Sequence, residues 1–338
     1  MEKDLRVEWI DIIKGIAIIL VVIGHACIPA YCNLNKNVLY IYLFINSINM
    51  PIFFYLSGYI FFKKYDKIKN TFKYIIIRSK KLIVPYLLYG SGVYLFINII
   101  SRINLFKKLL IKAGYVVNFS FSEIIVDLVF CLEKLDKHIW FMYILFFVTI
   151  ITLIIVKFKF NNYMISMVFI ILWFIYNAFI GDTNDTIAKI LYYYLFFNMY
   201  KLRKNTDKLL ERKKLIISIF VILEFLYIYG IDFWNNNLTL LRFLRLIIAI
   251  ISIYIFLFIG NYIYLKGNLL KGKLIFIGKN SFVIYLWHQP FIVSGVTNIL
   301  YILRVPVLIA LIISSILGII IPLIIKGLYE KIKLLMNL

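Results

Sequence analysis

The sequence predicts an all-α integral membrane protein: about ten transmembrane helices in one bundle, with both termini in the cytosol. Three observations predict it. Hydrophobic residues fill 63% of the 338 positions and charged residues only 16%, whereas a soluble domain is about half apolar and about a quarter charged. Apolar runs of about twenty residues recur from Ile10 to Gly327, and each can cross ~30 Å of hydrocarbon as a helix. Lysines and arginines collect in alternate connections, as the positive-inside bias requires. No polar stretch is long enough for a separate soluble domain, so residues 1–338 read as a single membrane domain.

Hydropathy sets spans near 10–28, 38–62, 82–100, 139–156, 163–180, 186–200, 215–231, 240–264, 275–300 and 305–327. The first is long, carries Asp11, Lys14 and His25, and is followed by no small-residue cleavage site. It reads as a retained helix rather than a signal peptide. The sixth is the weakest, being short and carrying Lys189. Pro290 should kink the ninth just after His288.

The connections alternate in charge. The stretch from Lys63 to Lys81 sets Lys63, Lys64, Lys67, Lys69, Lys73, Arg78, Lys80 and Lys81 against Asp66. Lys201 to Lys214 is similarly basic, as is the short stretch with Lys266, Lys271 and Lys273. Pro29 to Asn37, Gly181 to Thr186 and Gly230 to Thr239 are poor in bases. Putting the basic set in the cytosol puts both termini there. Ser101 to Lys137 fits less well: it carries bases and also Glu123, Asp127, Glu133 and Asp136, and suits a surface helix or a re-entrant segment.

The formal net charge of +22 does not point to nucleic acid, because the bases sit in short loops between apolar spans, where anionic lipid headgroups are their natural partners. Cys27, Cys32 and Cys131 offer no disulfide framework and no metal spacing. Cys27 and Cys32 are close enough in sequence to pair if their loop is extracytoplasmic; two unpaired thiols are the alternative.

Ionisable side chains inside spans are the candidates for chemistry, since each costs several kcal/mol unless it meets a cavity or a partner. In the first span Lys14 and His25 are eleven residues apart, about three helical turns or ~16 Å of rise, and fall on nearly one face. Asp11 joins that face one turn before Lys14. Ser57-Gly58 is a small pair that admits a neighbouring helix or an elongated ligand. Arg78 and Lys81 share a helix face at the cytosolic surface, where phosphate or a lipid headgroup would suit them. Ser281 and His288, seven apart, share a face of the ninth span.

Together these segments resemble the acyltransferase-3 family of membrane O-acyltransferases. The parallels are Asp11-Ile-Ile-Lys-Gly with His25, Met50-Pro with Ser57-Gly58, and Arg78 and Lys81 before Pro85-Tyr86. They continue with Trp140-Phe141, then Gly278-Lys-Asn-Ser281 with Tyr285 and His288. Order and spacing over most of the chain carry the resemblance. It implies about ten spans and transfer of an acyl group, most often acetyl, from cytosolic acyl-CoA to a hydroxyl of a cell-surface or lipid-linked saccharide. Acyl-CoA is then a co-substrate, and no resident cofactor or metal is implied.

By the same resemblance His25 falls on the family's catalytic histidine, and Lys14 and Asp11 on its helix face are the other catalytic candidates. Arg78, Lys81, Ser57, Trp140, Ser281 and His288 are the substrate-binding candidates. Many members carry Arg where this chain has Lys14, and Lys keeps the charge without the bidentate fork. A fused esterase-like domain, found in some members, is not expected. The expected location is a plasma membrane, the inner or cytoplasmic membrane of a bacterium.

The expected mechanism is direct transfer. Neutral His25 removes the proton of the attacking hydroxyl. The donor's phosphates dock on Arg78 and Lys81, and its pantetheine arm runs past Lys14. No serine or cysteine sits beside a base in sequence, so no acyl-enzyme is expected. A proton-coupled carrier or flippase for a lipid-linked saccharide is the alternative, because buried Lys and His suit it equally well. The paired broken helices of an inverted repeat are not evident in the sequence.

Overall fold

The computed structural model describes residues 7–112, 117, 119–132, 138–180, 185–200, 212–233, 238–267 and 269–335. Residues 181–184, 201–211 and 234–237 of the predicted connections, with Glu133 and Asp136, lie outside the described residues. Every regular element among the described residues is helical. In chain order these are α1 (Glu8–Ala26), α2 (Pro29–Leu34), α3 (Lys36–Lys64), α4 (Thr71–Ile100) and α5 (Asn104–Lys112). Next come α6 (Phe121–Phe130), α7 (Trp140–Lys157), α8 (Asn162–Phe179), α9 (Thr186–Asn198) and α10 (Lys213–Phe233). The last are α11 (Leu238–Lys266), α12 (Leu269–Lys279), α13 (Ser281–Trp287), α14 (Val293–Ile302) and α15 (Val307–Leu335).

Short polar side chains start several of these helices by satisfying the first backbone N–H groups. Asn70 accepts from the Lys73 amide at 2.9 Å. Asn161 accepts from Tyr163 and Met164, and Asp185 from Ile187. Ser120 and Glu123 form a reciprocal capping box that starts α6.

Seven helices among the described residues are long and apolar enough to cross a membrane: α1, α3, α4, α7, α8, α11 and α15. They correspond to seven of the ten expected spans, and two of the other three depart from the expectation for physical reasons. The expected sixth span is α9, which has 13 residues and so rises only ~20 Å. The expected seventh is α10, which is 21 residues long and so rises ~31 Å. The expected ninth is broken into α12, α13 and α14. One break is at Asn280, and the other runs over residues 288–292, where Pro290 lacks the N–H that would continue the helix.

Two more expectations are refined. The basic stretch from Lys63 to Lys81 is mostly helical, because α3 runs to Lys64 and α4 begins at Thr71. The stretch from Ser101 to Lys137 holds two short helices, α5 and α6. Cys27 and Cys32 are unpaired thiols, and the Cys32 Sγ–H points at the Cys27 carbonyl at 3.6 Å.

The chain divides into two compact units, residues 1–56 with 201–338, and residues 57–200. In the first unit α1 packs against α11, α12, α13, α14 and α15. Ile12, Ile13, Ala17, Val22 and Ala26 are wholly buried there. Two glycines bring α1 and α12 close: a methyl on Gly15 would overlap the Leu274 carbonyl, and one on Gly278 would overlap the Asp11 carbonyl. Small residues permit this backbone approach between membrane helices.

In the second unit α4 packs on α7, and α8 on α9. Three tyrosine hydroxyls hold α6: Tyr94 donates to the Asp127 carboxylate, Tyr86 to the Leu128 carbonyl and Tyr143 to the Val129 carbonyl. On α8, Met164, Ile171 and Phe179 are exposed, as suits a helix that faces hydrocarbon.

Candidate active site

In the first unit α1 presents Asp11, Lys14 and His25. Asp11 is buried at 2% exposure, and Lys14 and His25 are half-buried. Helical rise separates Lys14 and His25 by ~16 Å along the axis. The Asp11 backbone abuts Gly278, so the first candidate segment meets the Gly278-Lys-Asn-Ser281 segment through main chain. Glu8, one turn before Asp11, pairs with Lys271 of α12 at 3.0 Å.

His288 caps the C-terminus of α13 and is wholly buried. Its Nδ1 lies 2.8 Å from the Tyr285 carbonyl and 3.0 Å from the Ile284 carbonyl. Carbonyls only accept, so Nδ1 carries a hydrogen. The neutral ring therefore keeps its lone pair on Nε2. The His288 and His25 rings lie 5.2 Å apart, centroid to centroid, with their planes 57° apart. Gln289, next to His288, is also buried and accepts from the Ser294 hydroxyl at 2.7 Å.

Ser281 is half-buried at the start of α13, two turns before His288. Its neighbour Asn280 accepts from Lys326 of α15 at 2.6 Å and donates to the Phe276 carbonyl at 2.8 Å. The polar residues of this segment thus serve partly to hold the break between α12 and α13.

In the second unit Arg78 is half-buried and Lys81 exposed on α4. The Arg78 guanidinium lies 5.7 Å from the centre of the Tyr74 ring, one turn earlier. Ser57 is half-buried on α3, and Gly58 beside it meets the Phe197 backbone of α9. Of the two readings of that small pair, a helix contact and a ligand contact, the helix contact is made. Trp140 begins α7, with the Lys189 ammonium 4.7 Å from its ring centre and the Tyr193 ring at 5.4 Å.

Within the first unit, then, His25 meets His288, and Asp11 meets Gly278. Within the second, Trp140 meets Lys189 and Tyr193. Sequence reasoning noted Lys189 only as weakening a span, yet it is buried over an aromatic face, where a cation is stabilised. It passed over Glu224, a lone acid in the apolar run 215–231, which is buried. An isolated acid in such a run is a visible signal.

No curated protein and no solved structure shows significant similarity to this chain. The profile of the acyltransferase-3 family, described as an acyltransferase domain, matches residues 7–326 of the 338. The match takes in both units and each candidate residue above. The chain, with its seven membrane-length apolar helices, belongs to the acyltransferase-3 family of membrane acyltransferases.

Proposed function

We propose that this membrane acyltransferase moves an acyl group, acetyl in the first instance, from acyl-CoA to a hydroxyl of a cell-surface or lipid-linked saccharide, with His25 as general base. The carrying observation is the pairing of the His25 and His288 rings at 5.2 Å, within a chain of this family. In this reading neutral His25 takes the proton of the saccharide hydroxyl as its oxygen attacks the thioester carbonyl. The C–S bond breaks, and the departing thiolate recovers that proton from the imidazolium. Protons balance, and no covalent enzyme intermediate is needed. His288, held by the carbonyls of its own helix, fixes one wall against which the His25 ring is oriented. Arg78 and Lys81 take the donor's phosphates through charge-assisted hydrogen bonds. Lys14 supplies a positive charge on the histidine's own helix, and Asp11 tunes that charged stripe. Trp140 and Ser57 contact substrate, as does Ser281.

In this reading the protein works in the cytoplasmic membrane of a bacterium with both termini in the cytosol, the side from which acyl-CoA comes. The test is to incubate purified protein with radiolabelled acetyl-CoA and a saccharide extract. Stable label on carbohydrate is the expected result. A protein that moves a lipid-linked saccharide across a bilayer and leaves no label on it would be the carrier instead.

A further inference from the structure

We propose that Glu224 and Ser47 form a proton-binding site inside the first unit, occupied at neutral pH by a proton on the Glu224 carboxyl. Nothing in the acyl-transfer reading uses these residues. Transfer from a thioester to a hydroxyl balances its own protons, so the two proposals stand or fall separately.

α10 turns most of its surface outward: Leu215 is 55% exposed, Ile222 58% and Phe225 59%. On its inner stripe Glu224 and Tyr227 are buried, at 5% and 8% exposure, as is Gly230. α10 meets α3 with Phe220 against Phe44 at 6.3 Å and Tyr229 against Tyr40 at 5.2 Å between ring centroids. Between these two aromatic contacts sits Glu224, near the middle of its helix. A carboxylate at such a place needs a cation or several donors.

Neither is present. No cation among the described residues lies within ion-pair distance of Glu224. The ionisable groups on the stretches around it are Tyr40 and Tyr42 on α3, Tyr227 and Tyr229 on α10, and Arg242 and Arg245 on α11. Tyr42 is within electrostatic reach of Arg245 and Tyr227. Arg245 directs its Nη2 to the Asn46 carbonyl at 3.2 Å. The Glu224 Oε2 is buried and makes no hydrogen bond.

The remaining contact identifies the proton. Glu224 Oε1 lies 2.6 Å from the Ser47 hydroxyl oxygen. That hydroxyl oxygen is also 2.7 Å from the Phe44 carbonyl. A carbonyl only accepts, an ionised carboxylate only accepts, and serine has one hydroxyl hydrogen. With an ionised Glu224 one of these two short oxygen contacts has no hydrogen in it. With a protonated Glu224 both are filled: Oε1–H donates to Ser47 Oγ, and Oγ–H donates to the Phe44 carbonyl. The chain of donors runs one way and ends on backbone. A neutral carboxyl also leaves Oε2 as an unfilled carbonyl-type acceptor rather than as half of an uncompensated charge.

Infrared spectroscopy of the full-length protein in lipid nanodiscs tests this. At neutral pH the parent should show a protonated-carboxyl stretch that moves to lower frequency in D₂O. Glu224→Gln should remove that band, and Ser47→Ala should shift it by removing its hydrogen-bond acceptor. A parent without the band overturns the proposal, as does a band intact in Glu224→Gln. A band that Ser47→Ala leaves unmoved overturns the site as drawn. If Glu224→Gln fails to fold, alkaline titration of the parent decides instead: the band must give way to a carboxylate stretch, and persistence without conversion counts against the site.

Discussion

The imidazole rings of His25 and His288 lie 5.2 Å apart with planes inclined at 57°, one at the end of α1 and the other at the end of α13. The first is half-buried and the second wholly buried. In the proposed reading the more accessible His25 takes the reacting role and His288 an orienting one. A base must reach a substrate hydroxyl, and the His288 side chain is wholly buried.

His25→Gln should therefore abolish most transfer while the protein still folds and binds acyl-CoA. Positioned general-base catalysis contributes ~10²–10⁴-fold, so the rate should fall by about that factor. Steady-state rates of acyl transfer check this. A glutamine variant working at the parent rate would remove His25 from the mechanism.

If Arg78 and Lys81 hold the donor's phosphates, their loss should affect binding more than chemistry. Arg78→Ala with Lys81→Ala should raise the KM for acyl-CoA at least about tenfold and change kcat less. Each charged hydrogen bond lost is worth ~1.5–3 kcal/mol. Equal KM values in parent and variant would return these side chains to lipid contact.

Two glycines on α12 should behave oppositely. Gly278→Ala drives a methyl into the Asp11 carbonyl, and overpacking of this kind costs about 1–3 kcal/mol. Gly272 has open space around it, so Gly272→Ala should be neutral or stabilising by up to ~1 kcal/mol through helix propensity. Thermal unfolding in detergent measures both. Equal destabilisation by the two would mean that α1 and α12 are not held by close backbone approach.

Topology is tested by single cysteines in a cysteine-free background. Lys69 and Asn33 are both exposed and lie at opposite ends of α3. An impermeant thiol reagent added outside should label Asn33→Cys and miss Lys69→Cys. The reverse pattern would invert the protein in the membrane.

Several features were readable from sequence because they depend on local chemistry. Long apolar runs make helices, since no other open-chain structure satisfies its backbone in hydrocarbon. Pro290 was expected to disturb the helix after His288, and the helix is interrupted over residues 288–292. The spacing of Asp11, Lys14 and His25 on one face follows from helical geometry alone. The limits of hydropathy show at α9 and at α12 to α14. Apolar composition does not reveal that thirteen residues form a piece too short to span, nor that Asn280 interrupts a run.

By itself the sequence determined that this is a helical membrane protein, which runs are apolar enough to be candidate spans, and which residues are costly to bury. These follow from composition, periodicity and spacing, which act within one segment or add along the chain. Only the tertiary structure decided that His25 faces His288, that Gly278 lets α12 meet the Asp11 backbone, and that Glu224 is held by Ser47. Each of these pairs residues from distant segments. Helix periodicity says which face a side chain occupies but not which helix that face will meet. That choice is made when all the helices pack at once, by where small residues allow backbones to touch and where buried polar atoms find partners.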